Sequence, residues 1–189
     1  MKLYLATSNP GKIREFEGAG LEIEMLPSMK TLPLSPETGD TFEANAIQKA
    51  LYYGAHCEGW LIAEDSGLEV DALGCAPGVH SARWAGDDAA NNARLVREMA
   101  GQAVRSARYV CVIALVDQGQ VLGTFRGTVE GEILDAPRGA GGFGYDPYFL
   151  YPPFGQSFAE VPKERKAEVS HRGEAIQKLI VWLRENASR

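Results

Sequence analysis

Two adjacent carboxylates, Glu64 and Asp65, directly follow the short apolar run of residues 61–63. An apolar run of this kind predicts a buried strand, which we expect to end at the acids. Carboxylates at strand ends open onto the clefts of α/β sheets, and adjacent acids suit a hard, oxygen-binding cation such as Mg²⁺. Glu37, in a long polar segment earlier in the chain, is a candidate further ligand. The alternative interpretation is that these acids are solvated in a turn.

A polar turn that contains a glycine occupies residues 7–12, which read TSNPGK. It lies between a predicted strand and a predicted helix, and the backbone N–H groups at a helix start can bind phosphate. Lys12 adds a full positive charge, although the G-x-x-x-x-G-K spacing of a Walker loop is absent. A plain strand-to-helix turn with a surface lysine is the alternative. The candidate phosphate-binding residues are Thr7, Ser8, Asn9, Pro10, Gly11 and Lys12.

The segment 139–147, which reads GAGGFGYDP, is a candidate nucleobase-binding loop. Its glycines, Gly144 among them, permit close approach of the backbone to a ligand. Phe143 and Tyr145 could hold a flat base between their rings, and Asp146 could accept hydrogen bonds from the edge of that base. The alternative is a flexible loop whose aromatic side chains anchor it to the core.

Clustered cations could complete an anion-binding site. The chain has 19 basic and 25 acidic residues and a net charge of −6, so a phosphate group requires a local concentration of positive charge. Residues 163–172, KERKAEVSHR, supply such a group near a predicted helix start. Each basic residue taken alone could equally be an ordinary surface charge. The candidate cations are Lys12, Lys49, Arg83, Lys166, His171 and Arg172.

Composition excludes several classes of protein. The 189 residues, 45% of them hydrophobic and 23% charged, are typical of a single globular domain and not of a disordered or fibrous chain. The negative net charge disfavours nucleic-acid binding, which needs a basic face. Three scattered cysteines and three histidines without ligand spacing disfavour a disulfide framework and a zinc site.

The sequence also predicts that no membrane is involved. No apolar stretch approaches the roughly 20 residues of a membrane span. The apolar run at the N-terminus is too short for the core of a signal peptide. We therefore expect a cytoplasmic protein without a membrane partner.

The elements that must position these residues include at least six strands. The strands are predicted at residues 2–7, 21–26, 61–63, 68–73, 107–116 and 121–130. The last two are expected to pair as an antiparallel hairpin about Gly119. Strands that alternate with helices, together with one antiparallel hairpin, favour an α/β fold with a mixed sheet.

Helices are predicted from residue 12, after residue 40, over residues 87–100 and after Ser170. Asp40 and Glu43 are spaced as a capping box for the second helix. Residues 27–40 are expected to form a long loop, a feature that is usually functional in a compact domain. No linker divides the chain, so residues 1–189 are predicted to form one domain. Composition and spacing alone indicate no more than metal-assisted chemistry on a nucleotide.

Five segments give the chain a close resemblance to a known family of enzymes. They are TSNPGK at Thr7, FEANA at Phe42, EDSGLEVDALGCAPGVHSARW at Glu64, GGFGYDP at Gly141 and SHRG at Ser170. In this order they resemble the inosine/xanthosine triphosphate pyrophosphatase family, which removes non-canonical purine nucleotides. The resemblance spans nearly the whole chain.

The resemblance implies an elongated, two-lobed α/β domain with a long mixed sheet flanked by helices and an active-site cleft between the lobes. It implies a homodimer that hydrolyses ITP, dITP and XTP to the monophosphate and pyrophosphate with Mg²⁺. A site built only from the oxygen atoms of Glu37 and Asp65 should also accept Mn²⁺. By its position in the matching segment, Asp65 is implied to be the general base and a metal ligand. Glu37 resembles the second metal carboxylate, and Glu64 resembles a supporting acid.

The resemblance also implies roles for the remaining candidates. Residues 7–12 resemble the triphosphate turn, assisted by Lys49, Ser66 and Arg83. Residues 143–146 resemble the base-binding loop. Lys166, His171 and Arg172 resemble contacts to the base and phosphates. The chain departs from many relatives at Glu64, Ser8 and Cys75, where an aspartate and two glycines are usual, but no departure removes a proposed charge.

Two other functions compete with this interpretation. A nucleotide-binding sensor without catalysis would need the cations and aromatic rings but not the acids, whose presence favours hydrolysis. A pyrophosphatase for another modified nucleotide, such as a pyrimidine, is the nearer alternative, and the GGFGYDP loop favours a purine.

Overall fold

The computed structural model of the protein describes residues 2–186, which contain one seven-stranded sheet. The strands are β1 (Leu3–Leu5), β2 (Ile23–Met25), β3 (Trp60–Val70), β4 (Ser106–Asp117), β5 (Gln120–Ile133), β6 (Phe149–Tyr151) and β7 (Gln156–Ser157). They lie in the order β2-β1-β3-β4-β5-β6-β7. β1 pairs in parallel with β2 and β3, and every later pair is antiparallel. The predicted mixed sheet is therefore confirmed.

Helices flank this sheet. They are α1 (Pro10–Glu17), α2 (Phe42–Gly54), α3 (Asp88–Met99), α4 (Lys163–Val169) and α5 (His171–Asn186). The loop predicted at residues 27–40 contains a short 3₁₀ helix, Pro27–Lys30. Within residues 2–186, none of the helices has the length and apolar character needed to cross a membrane.

The strand that carries Glu64 and Asp65 is longer than the sequence predicted. β3 does not end at these acids but continues to Val70, paired with β4 without interruption from Leu61 to Val70. The local sequence looks like a turn because four polar or small residues follow the apolar run. The strand continues because a long antiparallel partner supplies its backbone hydrogen bonds, so both acids lie inside the sheet.

Side-chain caps fix where two of the helices begin. The predicted capping box of Asp40 and Glu43 is wrong, because the Oγ1 atom of Thr41 accepts the hydrogen bond from Ala44 N at 3.1 Å. A cap must lie directly before the first helical residue, and Asp40 lies one position too early. The predicted cap of the last helix is confirmed, since Ser170 Oγ accepts from the backbone N–H of the third helical residue at 3.0 Å.

Different helices cover the two faces of the central strands. Because side chains alternate along a strand, Ala63 of β3 packs towards Ala46 of α2. Ile62 faces the other way and packs with Phe16 of α1 and Leu179 of α5. The predicted apolar face of the last helix is confirmed, and its residues in this cluster are Ile176, Leu179, Ile180 and Leu183.

Candidate active site

The two adjacent acids of β3 point to opposite faces of the sheet. Asp65, like Ala63, faces α2, where its carboxylate oxygens lie 3.0 Å from Lys49 Nζ and 3.2 Å from Asn45 Nδ2. Glu64 faces α5, where its Oε2 atom lies 3.4 Å from Arg172 Nη2. The period of two along a strand therefore prevents the side chains from acting as one pair on one face. Adjacency in the sequence was a misleading signal here.

Glu37 and Asp65 instead converge on one positive charge. The Lys49 ammonium lies 2.6 Å from Glu37 Oε1, 3.0 Å from Asp65 Oδ1 and 3.2 Å from the backbone oxygen of Glu64. Arg83 forms a second ion pair with Glu37. Burial raises the pKa of Asp65 above its ordinary value of 3.8, although Lys49 opposes this shift. The loop of Glu37 and the strand of Asp65 thus meet at a position that suits a cation.

This set of oxygen atoms fits a divalent cation of the hard class. Mg²⁺ usually binds through one or two carboxylates and completes its shell with water and phosphate oxygens. Glu37 and Asp65 supply two carboxylates at one point. Among residues 2–186, no three His, Cys, Asp or Glu side chains form a cluster that could hold a metal ion.

The phosphate turn opens onto a cavity that Glu37 and Lys49 also line. Pro10 occupies the first position of α1, and Asn9 caps the helix by accepting from Gly11 N at 2.8 Å and Lys12 N at 3.2 Å. Lys12 forms an ion pair with Glu64. The cavity has a volume of about 530 Å³. The predicted site residues that line it are Thr7, Ser8, Asn9, Lys12, Glu37, Lys49, Glu64 and Arg83.

A second cavity, of about 860 Å³, lies beside Gly11 and Phe143. A Cβ atom added to Gly11 would lie 2.7 Å from Phe143 Cδ1, so only glycine permits the ring to pack this closely. The Lys166 ammonium is 5.2 Å from the centre of the Phe143 ring. Gly144 fixes the loop to α3, since its N–H donates to Asp88 Oδ2 at 3.0 Å. Phe143 therefore presents an aromatic face beside a cation.

The predicted sandwich of Phe143 and Tyr145 is wrong in this structure. Tyr145 is buried in the core and its hydroxyl donates to the backbone oxygen of Ser81 at 2.8 Å. Asp146 is buried too, and its Oδ2 atom accepts from Phe143 N at 2.9 Å and Lys166 Nζ at 2.7 Å. Tyr145 and Asp146 thus hold the loop in place, and Phe143 is the ring that lines the cavity.

Arg172 is buried and contacts one acid from each cavity, Glu15 from the larger and Glu64 from the smaller. Its guanidinium pairs with Glu15, lies 3.4 Å from Glu64 Oε2 and donates to Ser66 Oγ at 2.9 Å. Although burial acts to raise it, the pKa of Glu64 is held well below its usual value of 4.5 by the charges of Lys12 and Arg172. Glu64 is therefore a fixed negative charge that orients these two cations.

Comparison with known proteins agrees with this architecture. The sequence matches the model of the Ham1 family over residues 3–182. The chain belongs to the Ham1 family. Its sequence is 48% identical over 186 residues to a dITP/XTP pyrophosphatase of Exiguobacterium sp., covering 95% of each chain.

Solved structures of Ham1 proteins share the fold. The Ham1 protein of Staphylococcus aureus has a TM-score of 0.88 and 37% identity, over 98% of this chain and 99% of that one. A HAM1 protein from Coxiella burnetii also has a TM-score of 0.88, with 38% identity and the same coverage. The family and the α/β fold inferred from the sequence are therefore confirmed.

His171 does not act as a cation in this Ham1 family member. Burial, followed by the nearby charge of Arg172, lowers the pKa of His171 well below 6.5. The imidazole is therefore neutral at pH 7, and its ring stacks on Tyr109 with centroids 4.8 Å apart. The prediction that His171 contributes positive charge is wrong, and a hydrogen-bonding role towards a ligand stays a prediction.

Sequence reasoning missed two polar residues of this site. Glu15 pairs with both Arg172 and Lys166, and Asn45 contacts Asp65. Glu15 follows Lys12 by three positions, which places both side chains on one side of α1. Asn45 lies on the apolar side of α2, an unusual place for an amide. These spacings were the available signals, but the partners lie far away in the sequence.

Glu15→Gln is expected to lower stability at pH 7 and to flatten its acid dependence. Burial acts to raise the pKa of Glu15, but the charges of Arg172 and Lys166 outweigh it and hold this pKa below 4.5. The stabilisation by a carboxylate with a lowered pKa is present above about pH 4.5 and disappears as the pH falls through the folded-state value. Urea unfolding between pH 7 and pH 3 measures the difference between wild type and variant.

The control for this measurement is Glu185→Gln, which makes the same change at an exposed position of α5. Its stability should follow the wild type across the whole pH range. A constant difference between Glu15→Gln and the wild type from pH 7 to pH 3 would contradict the assigned ion pairs.

Proposed function

We propose that this chain hydrolyses the non-canonical purine nucleoside triphosphates ITP, dITP and XTP to the monophosphate and pyrophosphate. The observation that carries the proposal is the 530 Å³ cavity, which Lys12, Glu37 and Arg83 line together with Lys49, the ion-pair partner of both Glu37 and Asp65. Cations bind a triphosphate, and converging acids suit its metal ion. The 48% identity to a dITP/XTP pyrophosphatase supports the same activity.

Asp65 is the proposed general base for hydrolysis of the bond between the α- and β-phosphates. Its carboxylate can accept a proton from a water molecule that attacks the α-phosphorus, and pyrophosphate then leaves. Mg²⁺, held by Glu37 and Asp65, would supply charge neutralisation of the triphosphate. Lys12 and Arg83 would bind phosphate oxygens, and Glu37 and Asp65, which now pair with Lys49, would hold the metal ion.

The base is proposed to lie in the 860 Å³ cavity on the ring of Phe143. Hypoxanthine and xanthine carry a keto oxygen where adenine has an amino group. Arg172, neutral His171 and Lys166 are the candidate donors to that oxygen or to phosphate. Donors aimed at a keto oxygen reject an amino group, and buried sites of this kind can discriminate by ~10⁴-fold.

The remaining parts of the proposal concern the chain as a whole. We infer that it acts as one domain, because the sheet is continuous and the family match extends from residue 3 to residue 182. A homodimer is proposed from the family resemblance. A cytoplasmic location without nucleic-acid partners is proposed from the net charge of −6 and the function itself.

The deciding experiment is a product assay with ITP, dITP, XTP, GTP, ATP and the pyrimidine triphosphates. We expect pyrophosphate and monophosphate from ITP, dITP and XTP, with kcat/KM far above those for ATP and GTP. Orthophosphate as the product would refute the bond assignment, and comparable kcat/KM for ATP and ITP would refute the base choice. Binding of ITP without turnover would support the sensor, and preferential cleavage of a pyrimidine would support the other alternative.

Removal of divalent metal is expected to abolish turnover, and Glu37→Gln is expected to raise the Mg²⁺ concentration needed for half-maximal rate. The reason is that Glu37 provides one of the two carboxylates at the proposed metal position. Titration of ITP hydrolysis with Mg²⁺ after EDTA treatment measures the effect, and Mn²⁺ should restore activity. Full turnover in excess EDTA would exclude the metal, and unchanged Mg²⁺ dependence in Glu37→Gln would exclude this ligand.

A further inference from the structure

A fully buried amide in α2 connects the two segments that carry the proposed metal carboxylates. Asn45 has no exposed surface although it lies within a helix, where asparagine is an unfavourable residue. Burial of an amide costs free energy unless its donor and acceptor are both satisfied. Its Nδ2 donates to Asp65 Oδ2 at 3.2 Å, and its Oδ1 accepts from Gly39 N at 2.8 Å. Both ends of the amide therefore have a partner.

The contact to Asp65 makes its two carboxylate oxygens different. Oδ2 is held by Asn45 from one direction, while Oδ1 lies 3.0 Å from the Lys49 ammonium. The amide thereby fixes the rotation of the carboxylate. It also determines which oxygen faces the position of positive charge, which is the proposed metal position.

The contact to Gly39 extends the same control to the loop of Glu37. Gly39 lies two residues after Glu37, and a Cβ atom there would lie 2.9 Å from Asn45 Oδ1 and 2.7 Å from Ala44 Cβ. The loop thus approaches α2 so closely that a side chain at Gly39 would disturb it. Asn45 therefore sets the position of both carboxylates relative to each other.

We propose that Asn45 is a positioning residue for the hydrolysis, acting through Asp65 and the Glu37 loop without touching the substrate. This inference rests on the proposed function. Groups that orient a metal ligand through a hydrogen bond typically affect metal affinity or activity by ~10–100-fold. A purely structural role for Asn45 would lower stability without such a selective effect.

The chain provides a matched control one helical turn later. Gln48 holds the same loop, since its Oε1 accepts from Thr38 N at 3.1 Å and its Nε2 donates to Thr38 Oγ1 at 3.2 Å. These hydrogen bonds join Gln48 to Thr38 and not to Asp65. Asn45→Asp and Gln48→Glu both keep the oxygen acceptor that holds the loop and replace the amide donor by a carboxyl group. They differ in which side chain loses the donor.

The first measurement is ITP hydrolysis by these two variants. We expect Asn45→Asp to lower kcat by ~10–100-fold with KM changed by less than about threefold, because the contact affects the reacting group and not substrate binding. Gln48→Glu should keep both constants within about threefold of the wild type. Wild-type kcat in Asn45→Asp, or an equal loss of kcat in both variants, would overturn the proposal.

The second measurement needs no turnover. Mn²⁺ binding in the absence of nucleotide is measured for the wild type, Asn45→Ala and Gln48→Ala, with thermal unfolding to verify folding. We expect Asn45→Ala to bind Mn²⁺ ~10-fold more weakly than the wild type and clearly more weakly than Gln48→Ala, which loses a contact to the loop but keeps the contact to Asp65. Unchanged Mn²⁺ affinity in Asn45→Ala would overturn the proposal, and if that variant does not fold, Asn45→Asp decides through kcat. Absence of pyrophosphate release by the wild type would refute the proposed function, while the Mn²⁺ comparison would still test Asn45.

Discussion

Asp65→Asn is expected to lower kcat for ITP by about 10³-fold, within the ~10²–10⁴-fold range of general acid–base catalysis, while the fold is retained. The substitution keeps the shape of the side chain but removes its ability to accept a proton. The wild-type carboxylate lies 3.0 Å from Lys49 Nζ and 3.2 Å from Asn45 Nδ2, contacts that fix its orientation for that task. Steady-state kinetics with saturating Mg²⁺ measures the loss. Near-normal turnover would remove Asp65 from the mechanism.

Two controls separate this effect from misfolding. Asp135→Asn makes the same change at a side chain that is 94% exposed, and it should leave kcat unchanged. Thermal unfolding of Asp65→Asn should remain cooperative, because Lys49 keeps its ion pair with Glu37 after the carboxylate is lost. If Asp65→Asn loses cooperative unfolding as well as turnover, the loss of turnover reflects misfolding and does not support Asp65 as the base.

The central hairpin was predictable from sequence, but the full length of its neighbour was not. The predicted strands 107–116 and 121–130 correspond to β4 and β5. The first is a continuous run of mostly apolar and β-branched residues, which suits a buried strand, and the second follows it directly after the turn at Gly119. β3 was predicted to stop at Glu64 because acids rarely continue a buried strand. The compensating cations on α2 and α5 lie outside any local window of sequence.

The candidate site shows the same limit. Lys12, Glu37 and Lys49 were selected from the sequence, and the structure brings them to one cavity, where Lys49 also pairs with the predicted Asp65. The directions of Glu64 and Asp65 were not predictable. The strand was expected to end at these acids, so the alternation of side chains along a strand could not be applied to them. Glu15 was missed because its role depends on an ion pair with Arg172, which lies 157 positions later in the chain.

Arg172→Ala is expected to lower the free energy of unfolding by about 3 kcal/mol. Removal of one partner from a buried ion pair typically costs 3–5 kcal/mol, since the other charge stays buried without compensation. Arg172 is 1% exposed and contacts both Glu15 and Glu64. We expect the lower end of the range because Lys12 remains beside Glu64 and Lys166 remains beside Glu15. Urea unfolding at pH 7 without nucleotide measures the loss.

Arg184→Ala is the matched control, because it removes an exposed arginine from the same helix and should change stability by less than about 0.5 kcal/mol. Adding Glu15→Gln to Arg172→Ala should recover part of the loss if the unpaired carboxylate is its cause. Equal stabilities of Arg172→Ala and Arg184→Ala would contradict the role of this buried network.

Arg172→Ala also tests base choice, because a lower fraction of folded enzyme reduces kcat/KM for ITP and ATP equally. The ratio of the two values is therefore independent of stability, and its erosion in Arg172→Ala would report a lost contact to the base.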